Sequence, residues 1–134
     1  MYKRIQIGSE IGNLRIVENI IDETTNEIGI TKDSYGKILV SALEAVNNAI
    51  VHGNKSNPEK SVDIEIKLNK RNLSIKVKDE GKGFSPEDIK DPTLPENLEE
   101  LNGRGIYLMS HLADSIEFSE KGTMVTIIFN DIIP

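Results

Sequence analysis

The segment from Val62 to Val77 is the part of the sequence that most restricts the fold. Apolar residues alternate with polar and charged ones on both sides of a polar turn at residues 69–72. Successive side chains of a strand point to opposite faces, so this pattern predicts two antiparallel strands joined as a hairpin. One face of the hairpin is apolar, and we expect helices to cover it.

Two helices are predicted before the hairpin. A short strand at Lys3–Ile7 is followed by apolar residues at helical spacing, with Ser9 as the expected cap and Gly29 as the expected end of this helix. The second helix is predicted over Lys32–His52 and begins after Thr31, a residue type that caps helices.

The second half of the chain predicts a loop, a short helix and two closing strands. The loop covers residues 91–102, the helix residues 106–113, and the strands residues 115–119 and 123–129. Together these elements predict a single α+β domain over residues 1–134. We expect a two-layer sandwich in which helices cover one face of a mainly antiparallel sheet.

Composition excludes several classes of site. The chain has 134 residues, a net charge of −6 and no cysteine, which excludes disulfides and thiolate metal sites. The acidic balance argues against direct binding of nucleic acid or of an anionic membrane surface. The sequence contains neither a membrane-spanning run nor a signal peptide, so a cytoplasmic protein is expected.

Glu44 and Asn48 are the first candidate site residues. They lie one turn apart on the polar face of the second helix, where Val40 and Val51 also lie. A solvated helix face is the ordinary interpretation of such a pair, but the two valines suggest that a loop or a ligand covers this face. An amide oxygen is a hard ligand for Mg²⁺, and a carboxylate can accept a proton.

The turn after the hairpin is the second candidate. Asp79 continues the apolar face of its strand, and a carboxylate aimed inward needs a hydrogen-bond donor. That donor is either a backbone amide of the turn or the amino group of an adenine. Gly81 and Gly83 allow a tight turn and a close approach to a ligand.

The third candidate is Gly103-Arg104-Gly105, which opens the short helix. Free backbone N–H groups and a positive helix end attract anions, and Arg104 can add a charged contact to a phosphate. A plain helix entry with flexible glycines is the alternative. The sequence contains no P-loop motif.

The order of these three candidates resembles the Bergerat-fold ATPases, which include histidine-kinase catalytic domains. Residues 44–53 are similar to their N-box, residues 79–84 to their first glycine box, and residues 103–105 to their second, while Gly122-Thr123 is similar to their late Gly-Thr. Within this superfamily the chain looks most like the small stand-alone serine/threonine kinases that act as anti-sigma factors.

The resemblance implies a role for each matching residue. Glu44 would be the catalytic base, Asn48 the Mg²⁺ ligand, Asp79 the adenine contact, and residues 91–102 the lid over the phosphates. The remaining residues would contact ATP: Gly81, Gly83, Gly103, Arg104, Gly105 and Thr123. His52 is expected to be structural, and Arg15 would lie in the region that binds a partner.

The function that follows from the resemblance is an anti-sigma factor kinase that uses ATP and Mg²⁺. Its partners would be a sigma factor and an anti-anti-sigma protein that accepts the phosphate, and the resemblance also implies a homodimer. Two alternatives stay open: a nucleotide-dependent binding switch with little catalysis, and a catalytic domain acting on a separate histidine-bearing protein in two-component signalling.

Overall fold

The computed structural model describes residues 1–81 and 109–134. In the sequence, two helices follow the first strand and precede the second strand of a five-stranded sheet. The strands are β1 (Tyr2–Gly8), β2 (Ser61–Asn69), β3 (Asn72–Lys78), β4 (Ser115–Ser119) and β5 (Met124–Phe129). The helices are α1 (Leu14–Ile28) and α2 (Lys32–Asn48), and a π turn at Ala49–Gly53 follows α2 directly.

The sheet is antiparallel throughout, with the strand order β1-β2-β3-β5-β4. The predicted hairpin is β2 and β3, whose register places Ile64 opposite Val77 and Ile66 opposite Ile75. Lys70 takes a positive φ of 59° in the turn between them. Since the apolar residues pair with one another, one face of the sheet is continuous and apolar, as the alternation predicted.

Helices α1 and α2 cover that apolar face and form one core with it. Val17 and Ile21 of α1 and Ile38 and Val46 of α2 are almost fully buried. The sheet contributes the largest share of the core: Ile7, Val62, Ile64, Ile66, Leu73, Ile75, Val77, Val125, Ile127 and Phe129. The α+β sandwich predicted from the sequence is therefore confirmed.

The ends of the helices are partly as predicted. Gly29 stops α1 in a left-handed conformation (φ 77°), and the Thr31 hydroxyl accepts the Ser34 N–H at 3.1 Å to cap α2. The prediction for Ser9 is wrong. Its hydroxyl donates to the Lys60 carbonyl at 2.7 Å, and α1 begins only at Leu14, after a short 3₁₀ turn.

The π turn explains a second difference. The Asn54 N–H donates to the Ala49 carbonyl at 2.8 Å, which is the wide spacing of a π turn. Each residue then advances by less than the 100° of an α-helix, so Val51 rotates away from Glu44 and packs against the core. Val40 stays on the polar face and is 41% exposed. Only one of the two valines therefore lies beside the candidate pair.

Several predicted features lie outside the described residues. These are the loop over residues 91–102, the first three residues of the short helix over residues 106–113, Gly83, and the Gly103-Arg104-Gly105 motif. Residues 109–112 are helical, as predicted for the end of that helix. In the described ranges no helix has both the length and the apolar character needed to cross a membrane.

Candidate functional site

Asp79 lies directly after β3, at the point where that strand meets the start of β5 and the end of the π turn. Its backbone N–H donates to the Thr123 carbonyl at 2.8 Å, which fixes it against the residue that precedes β5. The side chain is half-buried. Burial raises the pKa of the Asp79 carboxyl above its ordinary value of 3.8, and the Gly81 hydrogen bond and the charge of Lys60 offset part of that rise.

The two carboxylate oxygens of Asp79 differ in their surroundings. Oδ1 accepts the Gly81 N–H at 2.8 Å. Oδ2 accepts no hydrogen bond from residues 1–81 or 109–134. One oxygen is therefore held by the backbone amide that the sequence allowed, while the other remains able to accept a donor from a ligand. An amino group on an adenine ring has the required chemistry.

Gly53 and Gly81 pack tightly around this carboxylate. A Cβ atom added to Gly53 would fall on the Asp79 carboxylate, 2.9 Å from Oδ1 and closer still to Cγ and Oδ2. A Cβ atom added to Gly81 would lie 2.7 Å from the Gly53 carbonyl carbon. The end of the π turn and the turn after β3 thus meet at a spacing that only glycine permits at both positions.

Glu44 and Asn48 occupy the last two turns of α2, just before the π turn. Both are half-buried, whereas Ala42 and Val46 on the far side of the helix have an exposed fraction of 0%. The pair therefore lies on the face turned away from the core, as the helical spacing predicted. A carboxylate and an amide one turn apart can act on the same group.

The donor set near α2 fits a magnesium ion that is held mainly by phosphate and water. No group of three or more His, Cys, Asp or Glu side chains in the described part of the chain could hold a metal ion. Mg²⁺ usually takes one or two protein ligands and completes its shell with phosphate oxygens and water. The Asn48 amide oxygen is suited to that limited contribution.

Thr123 reaches the site through its backbone. Its hydroxyl donates to the Glu120 carbonyl at 2.8 Å, and its own carbonyl accepts the Asp79 N–H. Gly122 before it takes a φ of 85°, a left-handed conformation that favours glycine. The Gly122-Thr123 pair therefore shapes the short 3₁₀ turn that brings β5 against Asp79.

His52 lies inside the π turn and is half-exposed. Burial lowers the pKa of its imidazole below the ordinary value of 6.5, and the charge of Lys55 lowers it further. The lowered pKa favours the neutral form of the ring at pH 7. A neutral histidine within the turn that carries Gly53 is consistent with the structural role predicted from the sequence.

Sequence reasoning missed two residues of this site. Asn54, which follows the predicted second helix, is completely buried and accepts the Glu80 N–H beside Asp79 at 2.7 Å. Gly53 was predicted only as the last residue of the N-box match, yet it packs on the Asp79 carboxylate. Asp79 and Glu80 lie more than twenty residues away in the sequence, so no local pattern pointed to these two contacts.

Comparison with known proteins agrees with the resemblance found in the sequence. A family model described as a histidine kinase-like ATPase domain matches residues 7–129. An anti-sigma F factor of Clostridium perfringens is 36% identical over 101 residues, covering 73% of this chain and 72% of that protein. A serine-protein kinase RsbW of Oceanobacillus iheyensis is 28% identical over 131 residues, covering 92% and 83%.

The fold also agrees with a solved structure. The RsbU and RsbW domains of a Mycobacterium tuberculosis protein match with a TM-score of 0.67 and 17% sequence identity. The match covers 96% of this chain and 31% of that chain, so this chain spans about a third of that longer protein. At this identity the likeness supports the fold alone.

Proposed function

The chain belongs to the histidine kinase-like ATPase domain family, and we propose that it is an ATP-dependent serine/threonine kinase that acts as an anti-sigma factor. The observation that carries the proposal is the Asp79 carboxylate, half-buried against Gly53 and Gly81, whose Oδ2 accepts no hydrogen bond from the described part of the chain. The π turn after α2 ends against this carboxylate. Relatives of this chain carry the names anti-sigma F factor and serine-protein kinase RsbW.

Nucleotide binding begins at Asp79. Its Oδ2 accepts a hydrogen bond from the adenine amino group, while Gly53 and Gly81 leave room for the carboxylate to pack against the backbone. Asn48 ligates Mg²⁺ through its side-chain oxygen. The phosphates are bound by Gly103, Arg104 and Gly105, below the lid at residues 91–102. Gly83 and Thr123 complete the wall of the adenine pocket.

When bound, magnesium ATP would supply the γ-phosphoryl group: its bond to the β–γ bridging oxygen breaks, a bond to a hydroxyl oxygen of the partner forms, and ADP leaves with the former bridging oxygen. Glu44 accepts the proton that this serine or threonine hydroxyl loses. Its position one turn before Asn48 places the base and the metal ligand on the same face of α2. Proton, phosphoryl group and leaving group are then all accounted for.

The partner surface is proposed at the start of α1. Arg15 is exposed there, and Ile11 and Ile16 beside it are 50% and 46% exposed. A charged side chain next to exposed apolar ones suits protein binding. We propose that a sigma factor binds this surface, that an anti-anti-sigma protein is the phosphoacceptor, and that the protein works as a cytoplasmic homodimer.

Transfer of labelled γ-phosphate from ATP to a purified anti-anti-sigma partner tests the kinase assignment. Glu44→Gln should bind ATP with unchanged affinity and transfer phosphate about 10²–10⁴-fold more slowly, because a general base contributes that much. Glu117→Gln is the matched control, since it is the same substitution at an exposed position of β4, and it should transfer phosphate at the wild-type rate.

The same assay separates the alternatives. A binding switch would change its affinity for the partner when ATP is added, yet would transfer no phosphate in any variant. A two-component catalytic domain would instead place acid-labile phosphate on a histidine. Wild-type transfer by Glu44→Gln would remove Glu44 from the role of base.

A further inference from the structure

Asn54 is a polar side chain buried completely at the join between the π turn and the sheet. Its exposed fraction is 0%, and both the oxygen and the nitrogen of its amide group are hydrogen-bonded. Oδ1 accepts the Glu80 N–H at 2.7 Å, and Nδ2 donates to the Ser9 hydroxyl at 2.8 Å and to the Ser61 carbonyl at 2.9 Å. A buried amide with three partners restricts all of them to one geometry.

These bonds bear on the candidate pocket because Glu80 is the residue after Asp79. The Asp79 N–H donates to the Thr123 carbonyl, and the Glu80 N–H donates to Asn54 Oδ1. The Glu80 carboxylate in turn accepts the Ser61 N–H, so the same segment is fastened to β2. Both sides of the Asp79 α-carbon are therefore fixed.

The remaining constraint acts on the side chain itself. Oδ1 of Asp79 is held by Gly81, and Gly53 closes the space next to Cγ and Oδ2. If the Glu80 N–H lost its acceptor, the backbone at residues 79–81 could rotate, and Oδ2 would leave its fixed direction. A hydrogen bond to a ligand weakens steeply when its angle falls below about 120°.

We propose that Asn54 is a positioning residue for adenine recognition, which holds the Asp79 carboxylate in the direction that accepts the ring amino group. The inference rests on the proposed function, because it assumes that Asp79 contacts adenine. Asn54 does not touch the nucleotide. It acts through the Glu80 peptide, and its loss should remove selectivity for the amino group rather than affinity for the purine and phosphates.

Selectivity is measured with two ligands, ATP and purine riboside triphosphate, which lacks the amino group at C6. Titration calorimetry on the whole chain gives a Kd for each. The wild-type protein should prefer ATP by about ten- to 150-fold, the range expected for one hydrogen bond to a charged acceptor. Asn54→Leu is similar in shape but has no polar atoms in its side chain. It should reduce the preference for ATP to less than about threefold and change the Kd of the analogue by no more than about threefold.

Two further variants separate positioning from stability. Thr25→Val removes a buried hydrogen bond of 2.8 Å to the Ile21 carbonyl, far along α1 from the pocket, and should lower the melting temperature without changing the preference. Asn54→Asp keeps an acceptor for the Glu80 N–H and should recover part of the lost preference. If Asn54→Leu does not unfold cooperatively, Asn54→Ala, which also lacks a side-chain acceptor, replaces it.

The outcomes are distinct. A reduced preference in Asn54→Leu with partial recovery in Asn54→Asp supports the positioning role. The wild-type preference in a folded Asn54→Leu or Asn54→Ala variant would show that Asn54 is only structural and overturn the inference. No preference in the wild-type protein would instead remove Asp79 as the adenine contact, and the proposed pocket would fail before Asn54 is tested.

Discussion

Gly81→Ala tests the tightest part of the pocket. The added Cβ would lie 2.7 Å from the Gly53 carbonyl carbon, closer still to its oxygen, and 3.0 Å from Oδ1 of Asp79. Ordinary carbon contacts lie at about 3.5–4.0 Å, so the turn after β3 and the π turn must separate by roughly 1 Å. Because the obstructing atoms belong to the backbone, no side-chain rotation relieves the contact.

A shift of this size should have two measurable effects. Overpacking costs about 1–3 kcal/mol, which lowers the melting temperature by roughly 5–15 °C. The displaced Asp79 carboxylate loses its hydrogen bond to the adenine amino group, a loss of about 1.5–3 kcal/mol or roughly ten- to 150-fold in the Kd for ATP. Titration calorimetry well below the melting temperature of the variant measures the second effect by itself.

Gly36→Ala is the matched control for this substitution. Nothing lies within 4 Å of a Cβ atom at Gly36, which is exposed on α2. Alanine should stabilise the helix by about 0.5–1 kcal/mol and leave the Kd for ATP unchanged. Wild-type affinity in a folded Gly81→Ala variant would refute the packing argument.

Two further predictions concern Asp79 and Thr31. Asp79→Asn should abolish ATP binding by calorimetry, because an amide that presents its NH₂ cannot accept from adenine. It should also raise the melting temperature of the ligand-free protein at pH 7, since burial raises the pKa of Asp79 and the folded state disfavours its ionised form. For the same reason ATP affinity in the wild-type protein should fall on acidification at a pH above 3.8, the ordinary pKa of this group. A melting temperature of Asp79→Asn below that of the wild-type protein at pH 7 would contradict the linkage. Thr31→Ala should remove the cap of α2 at a cost of about 1 kcal/mol, seen in thermal unfolding, with the Kd for ATP unchanged.

The sheet and the helix ends could be predicted because their signals are local. The alternation from Val62 to Val77 and the Thr31 cap depend on neighbours within a few residues, and both are confirmed. Ser9 was misassigned because its chemistry suits a helix cap equally well. Its real partner, the Lys60 carbonyl, lies just before β2, which only the folded chain brings near.

The candidate site was predictable in its chemistry more than in its geometry. The order of Glu44, Asn48 and Asp79 indicated a nucleotide pocket, but the spacing of an ideal helix gave the wrong direction for Val51. A π turn has no simple sequence signal, since it depends on whether the next residues find partners elsewhere. Here Asn54 finds them, on β2 and beside Asp79.

The π turn and the Asp79 turn are best understood as one unit. A continuous α-helix through residue 53 would keep its ordinary spacing, and the Gly53 carbonyl would not meet Gly81 as it does. The wider turn brings that backbone onto the Asp79 carboxylate, and burial then raises the pKa of the acid, a cost to the ligand-free fold. Asn54 offsets part of this cost with three buried hydrogen bonds. The Asp79 carboxylate, whose burial destabilises the fold, is therefore held through Glu80 by the hydrogen bonds of Asn54. This arrangement is expected where a carboxylate must stay oriented for a ligand.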